Sequence, residues 1–79
     1  MEFEKQILDF LANHNDGEYR SALILFADFI KAHVEYIDYQ RQINEALKRC
    51  FELGYIKNRE SPSYFIYLTE LGRAELLEA

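Results

Sequence analysis

Gln40, Arg41 and Asn44 fall within little more than one helical turn of chain, and Lys48, Lys57 and Arg59 follow. Two carboxamides and a guanidinium offer donors and acceptors in fixed planes, which suits reading a flat polar edge rather than cleaving a bond. The lysines and the second arginine add positive charge for anionic groups. Groups expected of an enzyme are not arranged for work. His14 lies in a polar stretch and His33 near a helix end, with no cysteine or second histidine at ligand spacing, so no metal site is expected. Cys50 falls on the apolar side of its segment and reads as an inert buried thiol. The carboxylates are scattered over outer faces. Gly17, Gly54 and Gly72 are too far apart to cradle a phosphate. The chain is read as a binding protein, not an enzyme, and needs no cofactor.

These groups must be held by a small scaffold. Seventy-nine residues make a single domain, read as spanning 1–79, and a hydrophobic fraction of 49 % with six Tyr and six Phe allows a core without staples. One cysteine forms no internal disulfide, in keeping with a reducing compartment. No run of about 18 apolar residues is present for a membrane span. The acidic start MEFEKQILDF lacks a secretory pattern, so a soluble cytoplasmic protein is expected. The net charge of −5 is uneven. Arg41, Lys48, Arg49, Lys57 and Arg59 outnumber Asp38, Glu45 and Glu52, making 38–59 the one net-positive stretch.

Phe3, Ile7, Phe10 and Leu11 recur at helical spacing, giving a first helix to about Asn13. Asn13 to Gly17 stops it, and Ser21 is placed to cap a second helix. That helix, Ala22 to Val34, is apolar almost all round, with Asp28 and Lys31 as a narrow polar edge. A small domain cannot cover every face of it, so Leu25 and Phe29 are expected to remain as a dimer or partner face. Val34 to Ile37 forms a turn and Asp38 is the next N-cap candidate. A third helix over about 38–53 turns Ile43, Ala46, Leu47, Cys50 and Leu53 inward. It turns Gln40, Arg41, Asn44, Glu45, Lys48 and Glu52 outward. Gly54 ends it. Tyr55 to Arg59 and Tyr64 to Leu68 read as antiparallel strands around a Ser61-Pro62-Ser63 turn, and Glu18 to Arg20 as a minimal strand joining them. Thr69 caps a last helix, with Leu71, Ala74 and Leu77 expected to pack back.

The strings Ala46-Leu47-Lys48-Arg49, Glu52-Leu53-Gly54-Tyr55-Ile56 and Tyr67-Leu68-Thr69-Glu70-Leu71-Gly72-Arg73 resemble the end of bacterial and archaeal winged helix-turn-helix transcriptional regulators of the broad MarR/PadR-like group. The resemblance covers about residues 38–78. It implies a mainly helical α+β fold of three helices, a two-stranded β-hairpin wing over 55–68 and a C-terminal helix. It also implies a sequence-specific DNA-binding regulator whose recognition helix enters the major groove.

On that reading Gln40, Arg41 and Asn44 contact bases. Tyr39, Lys48, Lys57 and Arg59 contact phosphates and set register. Affinity rises with the number of phosphates neutralised, so a homodimer on double-stranded DNA is expected. The alternative is an acidic winged-helix adaptor that binds a protein partner through its many tyrosines and leaves DNA alone.

Overall fold

Helix α1 spans Glu2–Ala12 and buries Ile7, Leu8 and Leu11 along one side, with Phe3 and Phe10 half-covered at its margins. The computed structural model describes residues 2–14, 17–59 and 65–78. Asn13 ends the helix, its side-chain amide donating to the Asp9 carbonyl at 2.8 Å. The chain then enters β1, Glu18–Tyr19. Ser21 caps α2, Ala22–Ala32, by accepting from the Ile24 N–H at 3.2 Å.

Helix α2 stops earlier than its apolar run. His33 takes a non-helical conformation, and Val34–Tyr39 winds as a tighter 3₁₀ segment. Asp38 lies exposed inside that segment, so it does not cap the next helix. Tyr39 occupies the cap position without a side-chain bond, and α3 runs Gln40–Glu52 rather than 38–53. Its inward stripe is Ile43, Ala46, Leu47 and Cys50. Leu53 is 43 % exposed, and Phe51 packs on the core edge instead.

Gly54 reverses the chain at φ +80, where a side chain would be strained. Its N–H reaches the Phe51 carbonyl at 3.2 Å, and the Tyr55 N–H reaches Cys50 at 2.9 Å, a paired closure of the helix end. Strands β2, Ile56–Arg59, and β3, Phe65–Leu68, then pair antiparallel, with Ile56 opposite Leu68 and Arg59 opposite Phe65. β1 adds to the other edge of β3, Glu18 opposite Tyr67, making a three-stranded antiparallel sheet in the order β1-β3-β2. Residues 60–64, on which the expected Ser61-Pro62-Ser63 turn and the expected strand start at Tyr64 fall, lie outside the described residues.

Thr69 opens α4, Glu70–Leu77, and ties it to the end of α3. Its hydroxyl accepts from the Gly72 N–H at 3.0 Å and points at the carbonyls of Gly54 (2.6 Å) and Tyr55 (3.0 Å). At Gly72 the backbone of α4 comes so close to Tyr55 that a Cβ would collide with its carbonyl oxygen. α4 therefore presents Gly72 to the domain and not the expected leucine stripe. Leu71 and Leu77 are 55 % and 86 % exposed and Ala74 is exposed, while Leu76 packs against the core.

The core unites α1, α2, α3 and the sheet around Phe29, Ile7, Leu8, Leu11, Leu25, Ile43, Ile56 and Ile66. Among the described residues this is an α+β fold of four α-helices and one small antiparallel sheet. No described helix is long and apolar enough to cross a membrane.

Candidate nucleic-acid interface

The inward stripe of α3 fixes what the helix shows outside. With Ile43, Ala46, Leu47 and Cys50 locked in the core, the 3.6-residue period turns Gln40, Arg41, Asn44, Glu45, Lys48 and Glu52 to solvent, and all six are exposed. Gln40, Arg41 and Asn44 are brought together. They form one bank of a cleft of about 480 Å³ between α3 and α2, whose other surfaces come from Ala22, Leu23, Phe26 and Leu47. Tyr39, 47 % exposed, stands at the head of α3 with its ring 5.8 Å from that of Phe3.

The cationic residues are not equally available. Lys48 is exposed but shares a shallow depression with Arg49 and with Glu45 and Glu52, which lie three and four positions away on the same helix. Arg49 reaches down to α1, its Nε 2.9 Å from the Glu4 carboxylate, which is only 5 % exposed. Lys57 projects into solvent from β2 opposite Tyr67. Arg59 lies over the Phe65 ring, 4.8 Å from its centroid, with Nη2 3.1 Å from the Glu18 carboxylate on the far strand. Arg41 and Lys57 are thus outward charges, while Arg49 and Arg59 are held by carboxylates.

Leu25 and Phe29 are not a partner face. They are 0 % and 1 % exposed and fill the centre of the core. α2 is apolar on both sides, so composition gave its rotation no reference, and the side left open is that of Leu23 (76 %) and Ile24 (37 %). The sequence reading missed Leu23 and Phe26 as cleft residues and Glu18 as the partner of Arg59. The spacing of Leu25 and Phe29, one turn apart opposite Leu23, is the signal that could have found the first.

The remaining titratable groups lie in local contacts. Burial pushes the Cys50 thiol up to about 12, helped by the nearby Glu4 carboxylate and opposed by Arg49, so it stays protonated near neutral pH. The Tyr19 phenol is raised by burial and by Asp28, to which it donates a hydrogen bond. That of Tyr55 is raised by burial and by Glu75, which accepts its hydroxyl at 3.2 Å. His14 donates from Nδ1 to the Phe10 carbonyl at 2.7 Å. The His33 ring lies tilted against Phe29, centroids 4.5 Å apart, with Nδ1 3.9 Å from Glu35. Among the described residues no cluster of His, Cys, Asp and Glu could hold a metal ion.

A scan against protein-family models, a search of curated proteins and a search of solved structures each returned no match to this chain.

Proposed function

We propose that the chain is a winged helix-turn-helix protein that binds duplex DNA in a sequence-specific manner and regulates transcription in the cytoplasm. The order α1-β1-α2-α3-β2-β3-α4, with β1 joining the β2-β3 hairpin, supports this fold assignment. So do the Gly54 and Thr69-Gly72 joints that the family resemblance rests on. α3 is the recognition helix and β2-β3 the wing.

The observation that carries the reading is the grouping of Gln40, Arg41 and Asn44, all exposed, on one bank of the α2-α3 cleft. Arg41 can bridge guanine O6 and N7, and either amide can bridge adenine N6 and N7. Tyr39, Lys48 and Lys57 contact phosphates, and Arg59 does so only if it leaves Glu18. With few free cations per protomer, binding is weak unless two copies act together, so a homodimer is part of the proposal. The test is binding to pooled random duplex across a salt series. Affinity should fall with salt and drop for Arg41→Ala; a folded protein that retains no DNA at low salt sinks the reading.

A second reading, docking of a protein partner, is favoured by one observation. Glu45 and Glu52 flank Lys48 on the outward side of α3, so its positive surface is broken. Carboxylates there repel phosphate but suit a basic protein segment.

A further inference from the structure

Within the DNA-binding reading, on which this rests, we infer that the α2-α3 cleft reads an A·T pair as a unit, with Leu23 as the residue that takes the thymine methyl group. In the major groove an A·T pair presents adenine N7 and N6, then thymine O4, then the thymine C5-methyl, in one row. An amide from Asn or Gln satisfies the adenine edge. The methyl then lies a few ångströms along the same pair and is favourable only against an apolar surface.

The cleft offers these two requirements side by side. Gln40 and Asn44 supply amides on its α3 bank, while Leu23, Phe26 and Leu47 supply an apolar lining that continues from them. An exposed leucine alone is ordinary. Leu23 differs by its place: it is 76 % exposed, on the first turn of α2, in the same depression as the amides. Its position is firm because Ser21 caps that turn and Leu25 and Phe29 anchor the helix beneath it. A G·C pair fits the same surface poorly, since guanine O6 replaces the adenine amine that the carboxamide oxygen accepts from, and cytosine carries only a hydrogen at C5 where the apolar lining would take a methyl. Arg41, on the same bank, reads a guanine in an adjoining pair, so the expected core of the site is an A·T pair next to a G·C pair.

The experiment uses the whole chain and a random-sequence duplex pool. Duplexes retained at low salt are sequenced, and the enriched one is resynthesised with deoxyuridine replacing thymidine one position at a time, which removes only the methyl. At one A·T position the loss should weaken binding about fourfold, the worth of one buried methyl. Leu23→Ser should make thymidine and deoxyuridine equivalent at that position and leave the other positions unchanged. Equal binding of thymidine and deoxyuridine duplexes at every position would overturn the inference while the DNA reading stood. Discrimination that survives in Leu23→Ser would overturn the assignment to Leu23. Retention of no duplex, or no enrichment, would overturn the inference together with the DNA reading and leave the cleft to a protein partner. The deoxyuridine series on the unmutated protein decides whether a thymine methyl is read at all, whether or not Leu23→Ser folds.

Discussion

Glu4 and Arg49 show how one ion pair takes a cation away from the surface. The Glu4 carboxylate is held under α3 at 5 % exposure, and Arg49 is its ion-pair partner at 2.9 Å. Arg49→Ala leaves that charge buried and unpaired. The cost should be roughly 2 kcal/mol, below the range for fully buried pairs because Arg49 is half exposed. Denaturant unfolding checks it, and DNA affinity should change much less than stability. Cys50 gives a pH-dependent expectation. Its thiol is raised from about 9 to about 12 and the phenols of Tyr19 and Tyr55 are raised as well. For each, the folded state holds the proton more tightly than the unfolded chain. Their contribution is therefore complete below the unfolded values and is lost as pH climbs from there through the folded ones. Stability measured upward from about pH 9 should decline, and Cys50→Ala should remove up to about 1.4 kcal/mol per pH unit of that slope. At neutral pH the native thiol should resist modification until the protein unfolds.

The joint between α3, the hairpin and α4 is the element on which the arrangement turns. Gly54, Thr69 and Gly72 meet there, each for a backbone reason: a positive φ, a hydroxyl shared between two chain segments, and a close approach. Gly72→Ala should be the worst of the three, destabilising by roughly 3 kcal/mol, because its neighbour is main chain that cannot swing aside. Thr69→Ala should cost about 1 kcal/mol as a lost cap, and thermal melts would rank them. These joints were legible in the sequence because Gly and Thr are selected by local geometry. So were the strands, from their β-branched and aromatic residues, and the inward stripe of α3, where polar and apolar residues recur with a clear phase. The phase of α2 was not legible, since Leu23, Ile24, Leu25, Phe26 and Phe29 are apolar in every direction. α4 misled in the same way: Leu71, Leu76 and Leu77 lie on different sides, and the deciding residue was the small one, Gly72. Asp38 looked like a cap because the 3₁₀ segment that swallows it has no strong signature of its own. Of the candidate site, the grouping of Gln40, Arg41 and Asn44 followed from α3 alone, whereas Glu18 beside Arg59 depended on strand pairing.

At the scale of the whole molecule the net charge of −5 opposes approach to DNA, so the proposed binding requires a local positive region. On the proposed DNA-binding reading, Lys48 and Lys57 supply about two cationic phosphate contacts per protomer, and a pair of protomers about four. A protomer measuring 35 × 27 × 21 Å is large enough for two copies to set their α3 helices one duplex turn apart, roughly 34 Å. Sedimentation at high micromolar concentration should show a dimer, and a strictly monomeric profile would count against two-fold binding. Since Leu25 and Phe29 are buried, a dimer contact must lie elsewhere.

The most direct measurement is the affinity for random duplex DNA as salt is raised, for the wild type and for Arg41→Ala, Lys57→Ala and Arg49→Ala. The expected log-log slope is about −2 for a monomer or −4 for a dimer. Arg41→Ala and Lys57→Ala should weaken binding, and Lys57→Ala should flatten the slope by about one contact. Arg49→Ala, its charge already held by Glu4, should alter binding least. No affinity at low salt from protein shown to be folded would contradict the account, as would equal losses for all three variants.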